Sequence, residues 1–267
     1  MTKRDGTDLA AALAAAVAGE PGVYAAAAIE PASGRRWLLN NRRLRSASLI
    51  KIFILAEAFR RIDRDEFDLE EAVAIPAAAI VGGAGQLEFA APGTVRTWRQ
   101  LLEAMIVESD NTATNMAIDR LGMESVNALA AALGCRDTAL RRKMMDFAAA
   151  AAGRENYTTP ADVAAVLARL YRRECVSPAA DEAMVAILLR QEDRCKLPLL
   201  LPAAARVACK SGELEGAEHD AGIVYGEGCD YVLAVMSDGL PDEERGRGVI
   251  ARLSRTVYDW FHNNIPE

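Results

Sequence analysis

Apolar positions change their spacing twice along this chain. From Val23 to Ile29 they run without a break, Glu30-Pro31-Ala32-Ser33-Gly34 interrupts them, and Arg35 to Leu39 follows, which predicts two strands joined by a proline and glycine turn. Near the other end, Ala205 to Gly212, Ala221 to Tyr225 and Tyr231 to Ser237 are three further strand-like runs, the last two linked by Gly226-Glu227-Gly228. Between these groups the spacing turns helical. Thr97 and Gln100 stand three apart before Leu101, Leu102, Met105 and Ile106, the arrangement in which a hydroxyl and an amide satisfy each other's free backbone donors at a helix start. Thr159-Pro160 and Ser177-Pro178 each set a capping hydroxyl before a proline whose missing N–H costs nothing at the first helical position, and Gly122 and Gly134 read as helix stops. Val249, Ile250, Leu253, Val257, Trp260 and Phe261 recur at helical spacing at the end of the chain.

These elements predict an α/β (α+β) fold: a five-stranded antiparallel sheet flanked by the two terminal helices, with an all-helical domain inserted into it. Residues 1–41 and 202–267 form the discontinuous sheet domain and residues 42–201 the helical one, with a site expected in the cleft between them. The Ala-rich stretch from Leu9 to Ala18 follows Asp5 and Asp8 and reads as a first helix, not a secretory signal. No apolar run reaches the roughly 18 residues needed to span a bilayer.

Composition narrows the function classes. With 267 residues, 51% hydrophobic and 26% charged, the chain has the make-up of an ordinary globular protein. Its net charge of -7 gives no general cationic surface for nucleic acid or an anionic membrane, so neither is expected as a partner. The five cysteines, Cys135, Cys175, Cys195, Cys209 and Cys229, are an odd set with no C-x-x-C pair, so neither a zinc site nor a disulfide framework is expected, and no metal or other cofactor. A chain complete at its start is expected in a reducing cytoplasm; one that has lost a leader, in the periplasm or outside the cell.

Three short segments carry candidate chemistry. Ser48-Leu49-Ile50-Lys51 opens an apolar helix, where Ser48 and Lys51 share a face and a desolvated lysine can shift toward its neutral, base-competent form. The helix N-terminus adds a positive field where an oxyanion would develop. Ser109-Asp110-Asn111 lies between two helices, and Lys210-Ser211-Gly212 on a strand could hold a carboxylate while leaving its backbone open to a ligand. Taken singly, each also reads as an ordinary helix start, N-cap cluster or strand end.

Together, and in this order, S-x-x-K, S-D-N and K-[ST]-G form the motif set of class A β-lactamases and penicillin-binding proteins. Over nearly its whole length the sequence resembles that family of active-site serine hydrolases, also in Gly82-Gly83-Ala84-Gly85, in Asn115 with Leu121-Gly122, and in Thr158-Thr159-Pro160. The resemblance implies that Ser48 is the nucleophile and Lys51 the proton acceptor. It further implies that Ser109 passes the proton to the leaving nitrogen, that Asn111 meets the substrate side-chain amide, and that Lys210 with Ser211 holds the substrate carboxylate. The backbone N–H groups of Ser48 and of Glu213, which follows Gly212, would form the oxyanion hole, a device worth roughly 3 kcal/mol per donor.

Two departures stand out. The family's loop glutamate, which activates the deacylating water, is replaced: counting from Leu140-Arg141-Arg142 puts Met144 at its place, and counting back from Pro160 puts Lys143 there. Asp146 and Glu155 are the nearest acids that could act as a surrogate base, although Asp146 equally fits a structural pairing with Arg141 or Arg142. Ala221-Gly222-Ile223 stands where many members carry an arginine that helps bind the carboxylate, so penicillins are expected to bind weakly. The expected activity is a β-lactamase-like hydrolase with slow turnover, its partner a small-molecule β-lactam or acyl-peptide substrate and its expected state a monomer. The alternatives are a peptidase or esterase of the same superfamily, or a non-catalytic protein that binds β-lactams or peptidoglycan. With no G-x-S-x-G elbow, and with His262 in the terminal helix, a Ser-His-Asp enzyme is not expected; His219 beside Asp220 is expected in a turn at a strand mouth. The Gly82 to Gly85 run lacks the ending of a phosphate loop, and Trp37, Trp98 and Trp260 read as packing residues.

Overall fold

The computed structural model describes residues 6–226 and 228–263. Helix α1 (Gly6–Ala16) precedes strands β1 (Val23–Glu30), β2 (Arg35–Leu39) and β3 (Leu44–Arg45), and a 3-10 turn at Ala47–Leu49 runs into helix α2 (Ile50–Ile62). Strands β4 (Ala72–Ala74) and β5 (Val95–Thr97) lead to helices α3 (Trp98–Val107), α4 (Asn111–Leu121) and α5 (Met123–Ala132), after which a loop carries helix α6 (Phe147–Ala151) and strand β6 (Tyr157–Thr158). Helices α7 (Pro160–Arg172) and α8 (Pro178–Leu188) are followed by β7 (Arg206–Leu214), β8 (Ala217–Tyr225), β9 (Tyr231–Asp238) and helix α9 (Glu243–Asn263).

The five long strands form one antiparallel sheet in the order β2-β1-β9-β8-β7, so chain segments from both ends interleave and β7 is an edge. Strand alternation divides the interior into two cores. Tyr24, Ala26 and Ala28 of β1 join Leu9 and Leu13 of α1 and Val249, Leu253, Val257 and Phe261 of α9 on one face. Ala25, Ala27 and Ile29 face the other way, into a core built with α2 and α7. Helix α2 lies in the middle of that core: every residue from Ile50 to Phe59 is buried, including Lys51 and Glu57. A helix apolar all round belongs inside, and its two charged residues therefore need partners. Glu57 finds them on its own helix in Arg60 and Arg61.

The local start signals work as the spacing predicts. Thr97 and Gln100 form both bonds of the capping box, Thr159 and Ser177 cap α7 and α8 ahead of their prolines, and Gly122 closes α4 at φ 79. Trp37 packs edge-on against Trp260, and Trp98 against Phe67. Two expectations are corrected. Residues 42–201 are not purely helical, because β3 pairs with β6 and β4 with β5 in two short ribbons. His219 is not in a turn: β8 begins at Ala217, and His219 is buried within it. Its Nε2 lies 2.8 Å from the Arg45 carbonyl and its Nδ1 accepts the Ser237 N–H, so the ring is held in one neutral tautomer. The strand continues through Glu218-His219-Asp220 because each of the three side chains meets a partner from another element, Lys196 and Arg247 for Glu218 and the Leu197 N–H for Asp220, which the local pattern cannot reveal. Among the described residues no helix is long and apolar enough to cross a membrane, and Cys135, Cys175, Cys195 and Cys209 are free thiols.

The capping box gives a direct test of this reading. Thr97→Ala should cost about 1 kcal/mol of stability while Thr97→Ser costs little, measured by denaturant unfolding, and equal losses would show that the hydroxyl carries no capping energy.

Candidate active site

Three chain segments meet at the N-terminal end of α2. Ser48 sits in the 3-10 turn ahead of the helix, Ser109 and Asn111 approach from the junction of α3 and α4, and β7 runs alongside. Gly212 permits that last approach. A Cβ at this position would lie 3.0 Å from the Ala47 Cβ and 3.0 Å from the Ser48 backbone nitrogen, so only a residue without a side chain lets the strand edge reach the turn.

Lys51 is fully buried one helical turn after Ser48, and its Nζ donates to three oxygens: the Ser109 carbonyl at 2.6 Å, the Ser109 Oγ at 3.1 Å and the Asn111 Oδ1 at 3.0 Å. The Ser109 Oγ in turn donates to the Ser48 Oγ at 3.0 Å, which completes an unbroken chain from ammonium to nucleophile candidate. Burial, and next the charge of Lys210, holds Lys51 well below the ordinary lysine range against the pull of Asp110. Lys210 is also fully buried and donates to the Ser211 carbonyl at 2.8 Å; burial pushes it down to about 8, with the Asp220 carboxylate opposing.

A cavity of about 390 Å³ opens over Ser48, lined among others by Ser109, Asn111, Ser211, Gly212 and Glu213. Six of the candidate residues, Ser48 among them, therefore gather here, with Lys51 and Lys210 fully buried nearby. Three of the six non-glycine residues at positive φ among the described residues, Ala47, Ser109 and Met145, line this cavity. Such conformations cost on the order of 1–3 kcal/mol each and persist where surrounding bonds enforce them. At Ser109 the left-handed backbone presents both the carbonyl and the hydroxyl to Lys51. Asp110 enforces it: Oδ1 accepts the Ala113 N–H as the cap of α4 and Oδ2 accepts the Leu87 N–H. Gly85 is required beside it, since a Cβ there would fall 2.1 Å from Asp110 Oδ2.

The loop between α5 and α7 closes one side. Met144 lines the cavity, while Lys143 turns away to pair with Asp119 at 2.6 Å. Asn115 grips Met144 at both its N–H (2.7 Å) and its carbonyl (3.1 Å). The expected pairing of Asp146 with Arg141 or Arg142 is corrected: Arg142 pairs with Glu155 at 2.8 Å, and Asp146 Oδ1 accepts the Ala149 N–H as the cap of α6. Three residues before Ala149, Asp146 is placed for capping and is spent on it. Glu155 is a loop carboxylate that does line the cavity, held by Arg142 and by the Asn156 N–H. Sequence reasoning missed Asn156, whose side chain bonds the backbone of Arg141 and Arg142, and Gln191, Glu192 and Asp193, which form a further wall. Nothing in their local pattern distinguishes them from an ordinary polar connection.

A family model described as the Beta-lactamase enzyme family matches residues 7–261. Similar solved structures include a β-lactamase from Sphaerobacter thermophilus DSM 20745, 31% identical over 98% of this chain and 100% of that one, with a TM-score of 0.87. A mutant of PBP-A, captured as an acyl-enzyme complex with penicillin-G, is 29% identical over 96% of this chain and 97% of its own, with a TM-score of 0.89. An ancestral class A β-lactamase is 28% identical over 94% and 99%, with a TM-score of 0.87. No curated protein matches the chain.

The close approach at Gly212 is open to mutation. Gly212→Ala should leave the fold intact but slow covalent labelling at Ser48 toward the roughly 10²-fold loss that follows removal of one oxyanion donor, read by intact mass against time. Labelling at the native rate would mean that the spacing between β7 and the Ser48 turn is not critical.

Proposed function

The chain belongs to the β-lactamase enzyme family, and on that premise we propose that it is a class A-like serine hydrolase that forms an acyl-enzyme on Ser48 from a β-lactam and releases it slowly. The observation that carries this reading is the hydrogen-bonded chain Lys51–Ser109–Ser48 beside a cavity whose loop contributes Met144.

As an ammonium, Lys51 spends its three protons on three acceptors. Loss of one leaves a lone pair able to take a proton from the Ser109 hydroxyl, which then accepts from Ser48. The Ser48 oxygen bonds to the lactam carbonyl carbon, and the N–H groups of Ser48 and Glu213 receive the oxyanion. The C–N bond breaks, and Ser109 returns the proton to the leaving nitrogen while regaining one from Lys51. Asn111 orients the acyl side chain and Lys210 with Ser211 the carboxylate. Water must then attack the ester. A thioether accepts no proton, so Met144 supplies no general base, a contribution usually worth 10²- to 10⁴-fold. Glu155 is engaged by Arg142, and Asp146 by its capping bond.

A second reading has an observation of its own. The cavity wall carries Glu108, Glu192, Asp193 and Glu213, and Ala221 stands opposite Lys210 in the sheet register. Negative charge at this mouth disfavours a carboxylate-bearing penicillin and favours a neutral or amine-bearing ester or peptide, the substrates of an esterase or peptidase on the same scaffold.

Labelled penicillin followed by intact mass separates these outcomes. A long-lived adduct, absent in Ser48→Ala, is expected; an adduct retained in that variant overturns the nucleophile assignment, and no adduct with ester cleavage favours the second reading. Met144→Glu should shorten the adduct lifetime, and an unchanged lifetime would remove the proposed deficit. Affinity for a carboxylate-bearing β-lactam should fall as pH rises through about 8, because Lys210, pushed down by burial, is charged below that point and neutral above it. The methyl ester of the same compound should lack this dependence.

A further inference from the structure

Lys196 lies in the connection between α8 and β7 and is fully buried, yet it is not among the residues that line the cavity. Three carboxylates surround its Nζ: Glu213 at 2.8 Å, Glu218 at 2.9 Å and Asp193 at 3.0 Å. Glu218 is also tied to Arg247 of α9 at 2.7 Å. A buried ammonium is costly without partners, so this group fixes the relative positions of the elements that supply them.

Those elements are the two walls of the cleft. On one side, the Gln191 Nε2 donates to the Ile106 carbonyl at 2.8 Å and the Glu192 N–H to the Val107 carbonyl at 3.3 Å, at the end of α3 just before Ser109. The Gln191 Oε1 accepts the Asp193 N–H at 3.0 Å, and Asp193 accepts from Lys196. On the other side, Lys196 holds the side chain of Glu213, the residue after Gly212 on β7. The next residue, Leu197, is fastened through its N–H to Asp220 of β8 and through its carbonyl to the Ser254 hydroxyl of α9. Residues 191–197 thus form a strap from the loop bearing Ser109 to the strand edge bearing Glu213.

We propose that Lys196 is a positioning residue for acylation: through Asp193 and Glu213 it sets the width of the cleft between Ser109 and the Glu213 backbone N–H. The inference rests on the reading that Ser48 is acylated with that N–H as an oxyanion donor. Lys196 reaches the reacting atoms only through these two carboxylates. Without its charge, three carboxylates repel one another, and Glu213, whose side chain is 58% exposed, is the one free to swing outward with its strand.

The test uses the acylation rate constant and the preceding dissociation constant, separated by the concentration dependence of benzylpenicillin labelling, in the wild type, Lys196→Met, Glu213→Gln and the double variant. Glu213→Gln changes an exposed side chain and leaves Lys196 with two carboxylates, so it keeps the test open if Lys196→Met folds poorly. Each single variant should slow acylation by ~10-fold or more, as displaced reacting groups do, while the dissociation constant moves less than about threefold. The double variant should be no slower than Lys196→Met, because both changes cut one linkage. Wild-type acylation rates in the folded single variants, or losses that multiply in the double variant, overturn the strap alone. A wild-type chain that takes no label at Ser48 overturns the functional reading and the strap with it.

Discussion

Two lysine ammonium groups withdrawn from water at one site impose the constraint around which this cleft is arranged. An unpartnered buried charge costs several kcal/mol, so each lysine must be surrounded by oxygens or by negative charge. Lys51 has three oxygen acceptors, two of them on Ser109. Lys210 has the Ser211 carbonyl and, through the sheet, the Asp220 carboxylate, which opposes its loss of charge. Burial lowers the proton affinity of both, with the charge of Lys210 adding to the effect on Lys51. Under the proposed reading Lys51 moves protons and Lys210 holds an anionic group, a division of labour set by environment and not by residue type.

Holding these groups requires backbone that is unfavourable on its own. Ser109 aims two oxygens at Lys51 only by adopting φ 60, and Ala47 turns the chain into the Ser48 segment at φ 44. Neither residue is glycine, so tertiary bonds must hold both in place: Asp110 bridges Ala113 and Leu87, and the Ser46 N–H is held by the Asn156 carbonyl. Glycine is reserved for contacts where no side chain fits, at Gly85 against Asp110 and at Gly212 against the Ser48 turn.

The loop over the site follows the same logic with different chemistry. Arg142 and Glu155 pair across its neck, Asn156 gathers the backbone of Arg141 and Arg142, and Asn115 fixes Met144 from below. The scaffold that would orient a loop carboxylate is thus retained around a thioether. Under the proposed reading, the cleft walls, residues 191–197 included, bear on acylation and this loop on release of the acyl group.

Much of this was legible without coordinates. Strand runs, capping hydroxyls and glycine stops act within four or five residues, so the sheet, the helix starts at Trp98, Pro160 and Pro178, and the ends of α4 and α5 could be read locally. The three motifs could be read because their order along the chain is itself information. What could not be read depends on partners distant in sequence. The extension of β8 through His219 needs the Arg45 carbonyl and Ser237; the choice of Met144 over Lys143 needs Asn115 and Asp119; the engagement of Arg142 by Glu155 in place of Asp146 depends on how the loop folds back. The sequence by itself determined which hydroxyls and ammonium groups were available and in what order. Only the tertiary structure decided which of them share a cavity, which lysines are withdrawn from water and which carboxylates are already engaged, because desolvation and long-range charge are properties of assembled space and not of neighbouring residues.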